Sequence, residues 1–258
     1  MGTVKPTPFP PPQNGHGQHG QVPIVGQHRL GIVVPTGERA REPDFYDCLD
    51  ALEKPQGTVM ARAHGQSPAR NRNAGIAYCL ANGCTHILFL DDDVVFPPDI
   101  LRRLVQHAHL DIVSGLILKR EYPHIPTLFR TSLGANKYEP FLLGPDDHGL
   151  VEAANAGLGC VLIRAEVFRA IEQPWIRLGE FEADLWSDDT GFMQRAAKAG
   201  FRIWCDLDIW IGHHANLVVW PGKTDGQWTV TIQGINSKHG IVIPVIGAPD
   251  PEPALAIQ

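Results

Sequence analysis

The sequence predicts an α/β protein. It would carry a mixed, mostly parallel sheet with helices on both faces and a small β-rich appendix on the C-terminal side. Three observations predict it. Short apolar runs bounded by breakers, the mark of buried strands, alternate with helical stretches from Arg29 to Leu118. Strands and helices in that alternation imply a largely parallel sheet. Beyond about residue 120 the pattern changes to short strands around turns, ending in the runs Trp228–Ile232 and Ile241–Ile246.

Residues 1–27 are rich in Pro, Gly, Gln and His without periodicity and read as a disordered tail. Leu30-Gly31-Ile32-Val33-Val34 is the first strand, stopped by Pro35-Thr36-Gly37. Asp44–Leu52 reads as a helix and Thr58–Ala63 as a second strand. Ser67-Pro68 opens a helix, with the hydroxyl as N-cap and proline at the first helical position, and Asn82-Gly83 closes it. Ile87–Leu90 is a strand that runs into Asp91-Asp92-Asp93. Pro97 and Pro98 start a helix whose inner face carries Ile100, Leu101, Leu104 and Val105, and Asp111–Leu118 is the next strand. Thr127–Arg130, Tyr138–Leu142 and Cys160–Arg164 come next as strands, and Glu166–Ile171 as a helix. Ser187 caps a helix that ends at Gly200, and Phe201–Trp204 is the last core strand. The expected organisation is a main domain over 28–214, an appendix over 215–248 and a disordered tail over 249–258.

The net charge of -6 and pI of about 6.0 provide no global basic field for nucleic acid, though a local patch remains open. Five cysteines, with no Cys-x-x-Cys pair, read as reduced and mostly buried thiols of a cytoplasmic protein. No apolar run reaches the length of about 18 residues needed for a membrane span.

Three adjacent carboxylates at the end of a buried strand repel one another unless water or a divalent cation relieves them. In an extended chain Asp91 and Asp93 share a face, a common arrangement for holding Mg2+ or Mn2+ with a diphosphate. The same string also reads as a solvated turn whose acids cap the next helix. Two enzyme families carry such a string. Haloacid-dehalogenase-like phosphatases would use Asp91 as nucleophile, and GT-A glycosyltransferases have an Asp-x-Asp metal motif. Position favours the second, because two strand–helix units precede the acids and nothing around Lys119 resembles the phosphatase lysine motif.

The wider resemblance points the same way. Ser67 through Asn73, the strand into Asp93-Val94-Val95-Phe96-Pro97-Pro98, and Ser114 through Arg120 resemble bacterial and bacteriophage GT-A enzymes close to family 2. Gly157 through Arg164, Trp186 through Phe192, Ala199 through Trp204 and Ile211-Gly212-His213 resemble them too. The resemblance implies a Rossmann-like GT-A fold and a metal-dependent transfer of sugar from a nucleotide-diphosphate sugar, foremost a UDP-sugar, to a hydroxyl. It places Pro35, Thr36, Gly37 and Glu38 beside the nucleotide, and Arg70 on the diphosphate, with Arg72 and Asn73 in reach. It places Asp91 and Asp92 on the donor, and makes Asp93, Asp91 and His213 ligands of Mn2+ or Mg2+, with His214 the alternative histidine. Asp189 or Asp188 would be the base, the latter standing where the family usually has Glu. Gly157, Gly159 and Trp186 would lie on the acceptor side. A glycan or a hydroxymethylated base in DNA would be the acceptor. A domain that binds nucleotide or glycan without turnover is the non-enzymatic alternative.

Overall fold

The computed structural model describes residues 28–36, 42–65, 67–120, 124–131, 138–177, 188–214, 217–234 and 240–244. The expected tails at 1–27 and 249–258, together with Gly37, Glu38 and Trp186, lie outside the described residues.

Strand β1 (Leu30–Pro35) is buried at every position, as a strand covered on both faces must be. It pairs in parallel with β2 (Val59–Ala63) on one side and β3 (His86–Leu90) on the other. Helix α1 (Pro43–Ala51) joins β1 to β2, and α2 (Pro68–Ala81) joins β2 to β3. Two glycines let α2 lie directly on the sheet. A Cβ at Gly75 would meet Val33 Cγ1 at 2.4 Å, and one at Gly31 would meet Cys79 Sγ at 2.6 Å. The helix stops at Asn82, and Gly83 takes the left-handed conformation that ends it (φ 73°). Ser67 stands at the N-cap position with Pro68 behind it, but its hydroxyl makes no capping bond.

After β3 come the two-residue β4 (Val94–Val95), α3 (Ile100–Val105) and β5 (Ile112–Ile117). The helix starts later than its prolines suggest, because Ile100 N–H bonds to Pro97 O in a turn and Asp99 takes the cap position. Three short strands succeed it, β6 (Leu128–Thr131), β7 (Tyr138–Pro140) and β8 (Leu150–Ala153). Next are β9 (Asn155–Ala156), β10 (Cys160–Arg164), α4 (Ala165–Ala170) and α5 (Asp188–Lys198). Strands β7, β6 and β9 make a separate small sheet.

The last core strand differs from the sequence reading. Strand β11 is one continuous element from Ile203 to His214, which includes the closing Gly-His. It slips against β5 between Asp206 and Trp210, with Asp206 opposite Gly115 and Trp210 opposite Leu116. The extra residues are held by local bonds and by Gly149, far away in the chain. Asp208 N–H bonds to Asp206 Oδ1, Leu207 N–H to Gly149 O, and the Trp210 indole to Leu207 O. Such a bulge bends a strand and re-aims its downstream residues.

Beyond β11, strands β12 (Leu217–Thr224), β13 (Gln227–Gly234) and β14 (Gly240–Pro244) continue the same sheet as an antiparallel meander. The order is β14-β13-β12-β11-β5-β10-β3-β1-β2, with β4 and β8 on β11. Strand β10 runs antiparallel between β3 and β5, so the sheet is mixed. One face buries Phe45, Leu49, Ile100, Leu101 and Leu104 of α1 and α3. The other buries Ile76 and Cys79 of α2, Phe168 of α4, and Phe192 and Met193 of α5. All five cysteines are buried and reduced. Burial raises Cys48 to about 11 and Cys205 to about 12, so these thiols stay protonated and inert. Among the described residues no helix is long and apolar enough to cross a membrane.

Candidate active site

The carboxyl ends of β1, β3, β5 and β11 meet at one edge of the sheet, where open α/β sheets bind ligands. At the end of β1, Thr36 is buried and fastened from two sides. Its N–H bonds to Ala63 O, and its carbonyl accepts from Asn71 Nδ2 at 2.7 Å. Asn71 is itself 2% exposed, so α2 is anchored to the loop that leaves β1.

Strand β3 ends at Leu90, and the three acids after it occupy a turn. The rule that residues two apart share a face therefore lapses, and the carboxylates separate. Asp91 turns toward α2. Arg72 Nη2 donates to both Asp91 oxygens at 2.8 and 2.9 Å. Arg72 Nη1 reaches Asp189 Oδ1 on α5 at 3.3 Å. The second Asp189 oxygen accepts the Leu158 N–H at 3.2 Å. The guanidinium side chain is 6% exposed and the two carboxylates about a quarter exposed each. Breaking a buried charge pair by removing one partner typically costs about 3–5 kcal/mol. The residual exposure of the carboxylates puts this bridge at or below the lower end.

Asp93 turns the other way. Its Oδ2 accepts from Arg120 Nη1 at 2.9 Å and lies 3.7 Å from His213 Nε2. Burial disfavours the Asp93 charge, but the hydrogen bond and charge of His213 and the charge of Arg120 outweigh it. The carboxyl is held below its usual value of 3.8. His213 Nδ1 faces Leu118 O at 3.0 Å. A carbonyl only accepts, so Nδ1 carries a proton there, and Nε2 is the nitrogen that faces Asp93. A proton on Nε2 would join the two directly, and a bound cation would take the place of that proton and of the Arg120 contact on Asp93 Oδ2. A histidine bonded through its other nitrogen to a backbone carbonyl is also how metal-ligating imidazoles are oriented. Among the described residues no group of three or more His, Cys, Asp or Glu gathers around one point. The protein thus provides two facing donors, and a cation there would take its other ligands from phosphate oxygens and water, as Mg2+ and Mn2+ do.

Strand alternation separates the two histidines. His214 points to the opposite face, 2% exposed, where its Nε2 is 3.9 Å from Asp44 Oδ2. His213 is the one on the Asp93 side.

The other expected residues are spread around this edge. Arg70 is on the exposed side of α2, whereas Arg72, two residues on, points into the site. Asn73 is engaged with the segment after α4. Its Nδ2 donates to Ile176 O at 2.6 Å, and its Oδ1 accepts the Ile176 N–H at 3.1 Å. Asp92 is half-buried in the turn. Pro35 ends β1, directly before Thr36. Gly159 lies against Asp91. Its carbonyl accepts the Asp91 N–H at 3.0 Å, and a Cβ there would stand 3.6 Å from Asp91 Oδ2. Gly157 packs on Thr127 in the same loop. The Asp188 side chain lies outside the described residues. Trp175 is a core residue, 4% exposed, donating its indole N–H to Phe168 O at 2.7 Å.

Sequence reasoning underrated Arg72, gave Asn71 no role of its own, and considered Arg120 only as part of a basic rim with Arg102, Arg103 and Lys119. For Arg72 a signal was present. Arg72, Ile76 and Cys79 repeat at the spacing of one helix face, and that face is buried. Nothing in the sequence says that Arg120 reaches back to Asp93.

The crystal structure of A197 from STIV resembles this chain over 81% of its length and 95% of that chain, with a TM-score of 0.54 and 16% identity. At that identity the likeness establishes the fold, which is of the GT-A type. No curated protein matches the sequence significantly. The family model described as glycosyl transferase family 2 matches residues 32–171, more than half of the 258 residues. That span includes most of β1, the Arg72 helix, the three acids and the glycine loop. The chain belongs to glycosyl transferase family 2.

Proposed function

We propose that this glycosyltransferase moves a sugar from a nucleoside diphosphate, foremost UDP, to a hydroxyl with the help of Mn2+ or Mg2+. The observation that carries the reading is the opposed pair of Asp93 and His213 at the edge of the sheet, set beside the Asp91–Arg72–Asp189 bridge. Asp93 and His213 Nε2 would hold the cation, and a carboxylate with an imidazole suits Mn2+ at least as well as Mg2+. When bound, the cation screens the charge that gathers on the departing diphosphate.

The chain's own residues do the rest. Asn71 fixes the Thr36 backbone and so shapes the wall where the nucleoside rests. The Gly157–Gly159 loop brings main chain close to Asp91 without a side chain in the way. Asp189 takes the acceptor's proton. Its two oxygens are oriented by Arg72 and by Leu158 N–H, and a carboxylate keeps further lone pairs for an incoming hydroxyl. A glycan is the acceptor class this reading favours, and a hydroxymethylated DNA base is the other. Arg102, Arg103, Lys119 and Arg120 are the cations a DNA rim would need.

The test is turnover of UDP-, GDP- and dTDP-sugars with Mn2+, Mg2+ or excess chelator, read as release of nucleoside diphosphate. Release that needs the cation is expected. Asp189→Asn should cut it by about 10²–10⁴-fold, the usual worth of a general base. Full turnover in chelator overturns the metal reading, and full turnover by Asp189→Asn overturns the base.

A further inference from the structure

The Arg72 guanidinium is placed where a diphosphate-binding arginine would be looked for, at the start of the helix after β2. Its environment says otherwise. It is buried to within a few per cent, and its Nη atoms already face two carboxylates from different elements. Nη2 is spent on both oxygens of Asp91, at the end of β3, and Nη1 points at Asp189, in the first turn of α5. The helix that carries Arg72 is itself fixed. Gly75 seats it on Val33, Asn71 ties it to Thr36, and Asn73 ties it to Ile176. Asp91 is fixed as well, through its N–H to Gly159 O.

We infer that Arg72 is a positioning residue: it sets Asp189 against the sheet by bridging it to Asp91. The inference rests on the reading of Asp189 as the base. A planar guanidinium presents its two terminal nitrogens in a fixed geometry, so one rigid group sets the direction of Asp189 Oδ1 from Asp91. Leu158 N–H holds the other oxygen, and the carboxylate is defined at both ends. Lysine keeps the charge and three donors but carries them on one freely turning nitrogen, without the fixed fork that aims each carboxylate. Asp91 is thereby the anchor of the bridge, which leaves the cation to Asp93 and His213.

The experiment compares Arg72→Lys, Arg72→Met and the double variant Arg72→Met/Asp91→Asn, the last removing the charge that would be stranded. Each is measured for kcat, for the dissociation constant of UDP with Mn2+ by calorimetry, and for Tm. The expected result is a fall in kcat of about a hundredfold in both methionine variants, the scale of a misplaced catalytic group. The nucleotide dissociation constant should stay unchanged, and Arg72→Lys should lie between wild type and methionine. In an Asp189→Asn background, Arg72→Met should cost no further kcat, because a group that acts only through Asp189 has nothing left to position. A hundredfold loss of nucleotide affinity would make Arg72 a diphosphate contact and overturn the inference. Full kcat in the double variant would overturn it too, as would an undiminished additional loss in the Asp189→Asn background. If Asp189→Asn alone keeps full turnover, the base reading falls and the inference with it. A dead Asp189→Asn beside a fully active double variant removes only Arg72.

Discussion

Asp93 shows how a carboxylate in this turn is kept ionised. Burial pushes against its charge, and His213 and Arg120 more than offset that. The carboxyl's value in the folded chain lies below that in the unfolded chain, so the ionised group stabilises the fold above the unfolded value. That contribution is lost as the pH falls through the folded value. Asp93→Asn should therefore flatten the acid limb of the stability curve below about pH 5 while changing its slope little at neutral pH. Urea unfolding midpoints at successive pH values check this, and parallel curves for the two proteins would contradict it. Arg120 is the half-exposed partner of the three, so its contact is the most easily exchanged for another cation.

At the scale of elements, α2 is the part of the site that the sequence displays best. Its proline start, its Asn-Gly stop and its buried stripe are all local signals, and the helix runs over the expected residues. Its closeness to the sheet depends on Gly75, whose missing side chain leaves room for Val33. Gly75→Ala should gain helix propensity of up to about 1 kcal/mol and lose more to overpacking, about 1–3 kcal/mol. Net destabilisation with reduced kcat is expected by urea unfolding and turnover assay, because the Arg72 bridge moves with the helix. A more stable, fully active variant would show that the seat is loose. Strand β11 was less legible. Asp206 and Asp208 end its continuous apolar run, so only its first residues were read as strand, although both sit at the outward positions of a regular alternation with Cys205, Leu207 and Ile209. The bulge they stabilise is a contact with Gly149, far away in the chain, which no local pattern announces. That bulge precedes the stretch that brings His213 to Leu118 and Asp93.

For the whole molecule, the alternation of strands and helices was enough to foresee a mixed sheet covered on both faces. The C-terminal strands are β-rich as foreseen, and among the described residues they also extend the main sheet through β11. Sequence could not show this, since a meander reads the same whether it stands alone or adds to an existing edge. The acids of the candidate site at Asp91, Asp93 and Asp189 could be picked out from short strings of the sequence. It was not legible where residues from distant elements converge, as Arg72 does on Asp91 and Asp189, or Arg120 on Asp93. The sheet edge gathers the two carboxylate centres side by side, one bridged by Arg72 and one facing His213. A donor bound between them would meet the proposed cation and the proposed base from a single rigid scaffold. The most direct measurement is a Mn2+ titration by electron paramagnetic resonance, with and without UDP, on the wild-type chain, Asp93→Ala, His213→Ala and His214→Gln. Mn2+ should bind more tightly with UDP present, and Asp93→Ala and His213→Ala should each lose at least about tenfold in affinity, with no loss for His214→Gln. Wild-type affinity in Asp93→Ala would contradict a cation held by Asp93 and His213.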